Sequence, residues 1–156
     1  MEISIFNPSI PSLVGTTLFA QSISDTSRKI LNLVENIFQY NCSIQDTLNE
    51  TDIQATLKTL DVFVKEINEN NNKTLHIALE NLNNVIEELH TTINQINSEC
   101  EYHATKYFSN YRKLDLSKYC DIIKKKSNTL DKRFHLLIQV MQINHNNIQD
   151  KIKNES

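Results

Sequence analysis

Apolar residues recur along most of this chain in steps of three and four, the spacing of one face of an α-helix. Ile23, Ile30, Ile37 and Ile44 stand at every seventh position, with Leu33, Val34, Tyr40 and Leu48 filling the flanking places. The pattern predicts a first helix over about residues 16–48, its stripe wide enough to touch two or more neighbours. Asn49 and Glu50 interrupt it, and Thr51 with Gln54 three residues on predicts a capping box. A second helix follows over about 52–69, marked by Ile53, Leu57, Leu60, Val64 and Ile67.

Asn70, Asn71 and Asn72 then break the phase. Beyond them Leu75, Leu79, Leu82, Ile86, Leu89, Ile93, Ile96, Cys100, His103 and Tyr107 predict a third helix over about 74–111. The asparagines predict a turn, since Asn tolerates left-handed backbone and competes for backbone hydrogen bonds. The rival is one continuous helix over 52–112, which at 1.5 Å per residue would run roughly 90 Å and far outreach its neighbours. The last helix, over about 116–152, carries Leu116, Cys120, Ile123, Ser127, Leu130, Phe134, Leu137, Met141, Asn144 and Ile148. Asn144 falls where an apolar side chain is demanded, and His103 interrupts the third stripe. Both are candidates for core polar residues that set register.

Ile86 and Ile93 at the a position, with Leu75, Leu82 and Leu89 at d, suit a parallel two-stranded coiled coil. The flanking e and g places hold Asn83, Val85, His90, Thr92 and Asn97, which are uncharged and suit half-burial among several helices. Residues 1–15 differ: Met1, Ile3 and Ile5 alternate with polar residues before Asn7-Pro8 and Ile10-Pro11, which predicts an extended arm. The expected fold is therefore all-α, an elongated antiparallel bundle of three or four helices with coiled-coil packing. It comprises a 1–15 arm and a 16–156 helical domain.

Composition sharpens this. Of 156 residues one is glycine and two are proline, and all three lie within the first fifteen. Turns beyond residue 15 must rely on Asn, Asp, Ser and Thr. Three cysteines leave one over in any pairing, which suits a reducing compartment, so the expected location is cytoplasmic. The expectation is also of no signal peptide, because the start lacks a basic region, and of no transmembrane segment. The sequons at Asn41, Asn49, Asn72 and Asn154 are read as unused.

The net charge is −3, unevenly spread. Residues 1–49 carry −2, residues 50–112 carry −5 and residues 113–156 carry +4. Lys118, Lys125 and Lys132 fall seven apart, with Lys124, Lys126 and Arg133 beside them. This is a candidate basic face for nucleic acid, weighed against an ordinary solvated helix surface.

Chemistry-bearing patterns are thin. Glu87 and His90 have the Glu-x-x-His spacing of di-iron bundles but lack a second copy, and read as a surface pair. Cys100, His103 and Cys120 could approach one another, without a fourth ligand or a zinc-finger spacing. Nucleophile elbows and phosphate-cradling glycine loops are missing from the sequence. No catalytic, cofactor-binding or metal residues are assigned, and no cofactor is expected. The expected function is that of a non-enzymatic scaffold acting through helix–helix packing, as a homo-oligomer or with another helical protein. The alternatives are a nucleic-acid-associated protein using the basic face and a binding module that takes a partner helix.

Overall fold

The computed structural model describes residues 9–40, 42–67 and 72–155, with side chains from residue 15 onward. Among them the chain is all-helical, five α-helices packed against one another: α1 Ser9–Phe38, α2 Ile44–Glu50, α3 Ile53–Lys65, α4 Lys73–Ala104 and α5 Ser117–Glu155. A short 3-10 turn, Ser109–Tyr111, lies between α4 and α5.

The stripes become the core. In α4, Leu75, Leu79, Leu82, Ile86, Leu89, Ile93 and Ile96 are all fully buried. From α1 they meet Ile23, Ile30, Val34 and Ile37, and from α5 Ile123, Leu130 and Leu137. Burying each such side chain contributes about 1.5–3 kcal/mol.

Polar contacts between helices fix their directions. The Thr16 hydroxyl lies 3.4 Å from His76 Nδ1, and Thr26 Oγ1 donates to Glu87 Oε1 at 2.8 Å, so α1 and α4 run parallel. Ser24 donates to Asp61, whereas Thr16 and Ala20 lie beside Val64 and Ile67, so α3 returns antiparallel to α1. Glu99 faces Lys118 and Glu88 faces Lys126, so α5 is antiparallel to α4. Helices that follow one another, α1 with α3 across the short α2 and α4 with α5, are thus antiparallel, whereas the non-consecutive α1 and α4 run parallel. The chain climbs through α1, descends through α2 and α3, climbs again in α4 and descends in α5.

Several boundaries differ from the sequence expectation, each for a local reason. Residues 9–15 are helical rather than extended, while residues 1–8 of the expected arm lie outside the described residues. Pro11 falls in the first turn of α1, where its missing N–H would have had no intrahelical acceptor. Gly15 sits inside α1 because the His76 ring of α4 occupies the space that a Cβ would fill. The first expected helix breaks after Phe38, where Gln45 Nε2 donates to the freed Phe38 carbonyl at 2.8 Å. Thr51 does not form a capping box: its hydroxyl donates back into α2, to the carbonyls of Thr47 and Leu48. Asp52, in left-handed conformation with φ 49°, carries the chain into α3 instead.

α3 ends at Lys65 and α4 begins at Lys73, and Asn70 and Asn71, where the sequence predicts a turn, lie outside the described residues. Asn72 is the N-cap of α4, its side chain accepting from the N–H groups of Thr74 and Leu75. The third stripe stops being core after Cys100, because α4 ends at Ala104 and Tyr107 is exposed. In α5, Ile148 is exposed, since Asn144 already lies opposite the start of α4.

Candidate functional site

The end of the molecule where α1 finishes, α4 finishes and α5 begins collects the least ordinary chemistry. After Ala104 the chain turns through Lys106, Tyr107 and Phe108, and Phe108 adopts φ 66°, ψ 28°. Left-handed backbone is uncommon for a bulky side chain and carries a strain of about 1–3 kcal/mol. No core packing explains it, because the Phe108 ring is exposed. Tyr107 is 84% exposed and Tyr111 86%. The three rings support one another edge-on, with centroids 4.5 Å apart for Tyr107–Phe108 and 6.2 Å for Phe108–Tyr111. The Lys106 ammonium sits 4.1 Å from the centroid of a fourth exposed ring, Tyr102. Arg112 and Lys113 follow, and no carboxylate occurs between Tyr102 and Leu114. The result is an exposed aromatic and basic turn.

Beneath it lies a cleft of about 600 Å³ lined by Tyr40, Cys42, Cys100, His103, Arg112 and Lys113, among others. The parallel course of α1 and α4 brings Cys42, just past α1, against Cys100 near the end of α4. The Cys100 thiol donates to Cys42 Sγ across 3.8 Å. That hydrogen bond, above all, pulls the Cys42 thiol down to about 7, against the opposing effect of burial. The same contact and burial push Cys100 well above the ordinary thiol range, with the Cys42, Glu99 and Glu101 charges adding to it. His103, the candidate register-setting residue, is half-buried in this cleft, and its Nε2 is buried with no hydrogen-bond partner.

The candidate basic face divides. Lys118 pairs with Glu99 at 2.8 Å, Lys126 with Glu88 at 2.7 Å, and Arg133 Nη1 donates to the Asn81 carbonyl at 2.6 Å. Lys124 pairs with Glu50 at 3.0 Å. Lys126 holds the Glu88 carboxyl below its usual range, and Lys118 with the Tyr119 hydroxyl does the same for Glu99. These cations lie along the seams of α5 with α4 and α2, whereas Lys125 and Lys132 face solvent. Asn144 is half-buried and accepts from Asn72 Nδ2, so its mate is the cap of α4 in the same chain.

Glu87 accepts from Ser22 and Thr26 of α1. Cys100 meets Cys42 rather than Cys120, whose thiol donates weakly to the Leu116 carbonyl at 4.0 Å. Among the described residues no three His, Cys, Asp or Glu side chains gather as a metal site requires, and no helix is long and apolar enough to cross a membrane. The periodic pattern absorbs the aromatic turn into the third helix, with Tyr107 in its stripe, whereas α4 ends at Ala104. The signal of the turn is density: three of the five tyrosines in the chain, Tyr102, Tyr107 and Tyr111, and one of the six phenylalanines, Phe108, fall within one short segment. Cys42 carried no local signal at all.

Comparison with protein-family models, with curated proteins and with solved structures finds no match.

Proposed function

We propose that this chain is a non-enzymatic scaffold protein that assembles through protein contacts, with a second copy of itself as the first partner, using the aromatic turn as its anchor. The observation that supports this reading is the Tyr107–Phe108–Tyr111 cluster, exposed on a strained turn. Tyrosine and arginine dominate the energetics of protein interfaces, because they combine large apolar area with polar tips. A backbone held in left-handed conformation with no core contact to reward it is the kind of strain that persists at contact sites. The long helices provide the rigid support that keeps such an anchor preorganised.

Sedimentation velocity of the wild type against a Tyr107→Ser/Tyr111→Ser variant tests it. The wild type should sediment as an oligomer and the variant as a smaller species with unchanged helicity. Identical sedimentation of the two would overturn the self-assembly reading.

A second reading is favoured by the same turn: single-stranded nucleic acid, whose bases stack on aromatic rings while Lys106, Arg112 and Lys113 meet phosphates. It moves the expected nucleic-acid surface from α5 to the turn, since Lys118, Lys126 and Arg133 already serve contacts with α4. Salt-sensitive retention of an unstructured oligonucleotide, lost in the same variant, would select it.

A further inference from the structure

We propose that Cys42 and Cys100 form a thiol–disulfide exchange site for small acidic disulfides of the glutathione class, Cys42 attacking and Cys100 resolving. The inference is independent of the assembly reading, since it rests on the cleft and not on the turn above it.

The geometry supplies each part. The two sulfurs lie 3.8 Å apart with the Cys100 thiol directed at Cys42. Reaching a bond of about 2.05 Å requires a closure of less than about 2 Å. Cys100 is buried in α4 and fixed, whereas Cys42 lies in the irregular connection between α1 and α2, where the backbone is not locked into a helical ladder. Cys42 is half-buried and opens on the cleft of about 600 Å³, which has room for a tripeptide-sized reagent. Arg112 and Lys113 line that cleft and complement the carboxylates of glutathione. The other titratable groups around the pair are Tyr40 and His103 in the cleft, with Glu99 and Glu101 acting on Cys100. The thiolate is the nucleophile in such exchange, and a thiol near 7 is well matched to neutral solution.

The steps balance without further reagents. The Cys42 thiolate attacks one sulfur of the small disulfide; a protein–glutathione bond forms, and the other glutathione leaves as thiolate and takes a proton. Cys42 then bears no charge and no longer needs the Cys100 hydrogen. Cys100 then loses its proton to solvent in the cleft. Its thiolate attacks the Cys42 sulfur, forms the Cys42–Cys100 bond and expels the second glutathione as thiolate, which takes up a proton. Two thiols are oxidised and one small disulfide is reduced to two thiols. Cys120 takes no part.

The test uses the full chain with Cys120→Ser, incubated with glutathione disulfide and followed by intact mass and peptide mapping. The protein should end with Cys42 joined to Cys100 and no adduct. Adding Cys100→Ala should leave one glutathione trapped on Cys42, and Cys42→Ala should leave Cys100 unmodified. Because a variant could unfold, the wild type is also labelled with iodoacetamide across pH and mapped. Cys42 should react at least several-fold faster than Cys120 at pH 7, with its rate half-maximal near pH 7. Glutathione found on Cys100 in the Cys42→Ala variant, thiols that stay reduced, or equal labelling of Cys42 and Cys120 in the wild type would each overturn the proposal.

Discussion

Asn72 and Asn144 should be energetically coupled, and the structure sets the size of the coupling. Asn72 does two things at once: its Oδ1 accepts from Thr74 N at 2.8 Å and Leu75 N at 3.3 Å, and its Nδ2 donates to Asn144 Oδ1. Asn144 Nδ2 is already buried without a partner. Asn72→Ala removes the cap, about 1 kcal/mol. It also strands the Asn144 carbonyl beside an amide that is already unpaired, a further cost of about 1–2 kcal/mol. The total is about 2–3 kcal/mol. In an Asn144→Leu background the second contribution vanishes, and Asn72→Ala should cost only about 1 kcal/mol. Asn144→Leu alone should be near neutral or stabilising, since it removes the unpaired amide while losing one hydrogen bond. Because the mate of Asn144 is in its own chain, that substitution should leave the sedimentation profile unchanged. Urea unfolding of the four proteins measures the cycle. An equal cost for Asn72→Ala in both backgrounds would refute the argument, because the cap would then be acting alone.

Charge reversal on α5 should separate seam from surface: Lys125→Glu and Lys132→Glu should stay within about 0.5 kcal/mol of wild type by thermal melting. Lys118→Glu should destabilise measurably, since it sets a carboxylate against Glu99. Gly15→Ala should fail to give the usual helix gain of about 1 kcal/mol while His76 is present, and should recover it when combined with His76→Ala, by the same melts. Glu99 is held below its ordinary 4.5, foremost by Lys118, so its contribution is present above that pH and lost as pH falls through the lower folded value. Glu99→Gln should accordingly flatten the acid limb of the stability curve below about pH 5, and an unchanged limb would contradict the pairing.

The helical class was legible because Ile23, Ile30 and Ile37, or Leu82, Ile86 and Leu89, repeat at a period that only a helix can bury. What escaped is instructive in physical terms. The break after Phe38 involves no glycine or proline; a glutamine side chain seven residues on caps the freed carbonyl, and such a bond is visible only once the chain has turned. Gly15 reads as a helix breaker until His76, far along the chain, is seen to need its missing Cβ. The direction of α1 against α4 is likewise set by pairs such as Thr26 with Glu87, which periodicity does not encode. The candidate site fared worse than the fold. Its cysteines lie 58 residues apart and come together only through that parallel pairing. Its aromatic turn reads in the sequence as the end of the third helix, with Tyr107 in the stripe, because an apolar ring at the expected spacing does not show that α4 stops at Ala104.

The cleft makes one electrostatic prediction that separates its cations from the thiol they surround. Arg112 and Lys113 line the cleft onto which Cys42 opens, so a negatively charged reagent should be concentrated there and a neutral one should not. A unit charge about 8 Å away contributes about 0.5 kcal/mol in water, cut to about a third by salt near 0.15 M. Reversing both residues with Arg112→Glu/Lys113→Glu changes four charge units, or about 0.7 kcal/mol, roughly a three-fold effect on rate. Iodoacetate is anionic and iodoacetamide neutral, and both need the same thiolate. Any change in the ionisation or exposure of Cys42 therefore moves both rates together and cancels in their ratio. That ratio, measured on Cys42 by peptide mapping, should fall about three-fold in the variant at 0.15 M salt. It should fall further in dilute buffer, where screening is weaker. A ratio unchanged at both ionic strengths would mean that the two cations point away from the thiol. The cleft would then have no preference for acidic disulfides over neutral ones.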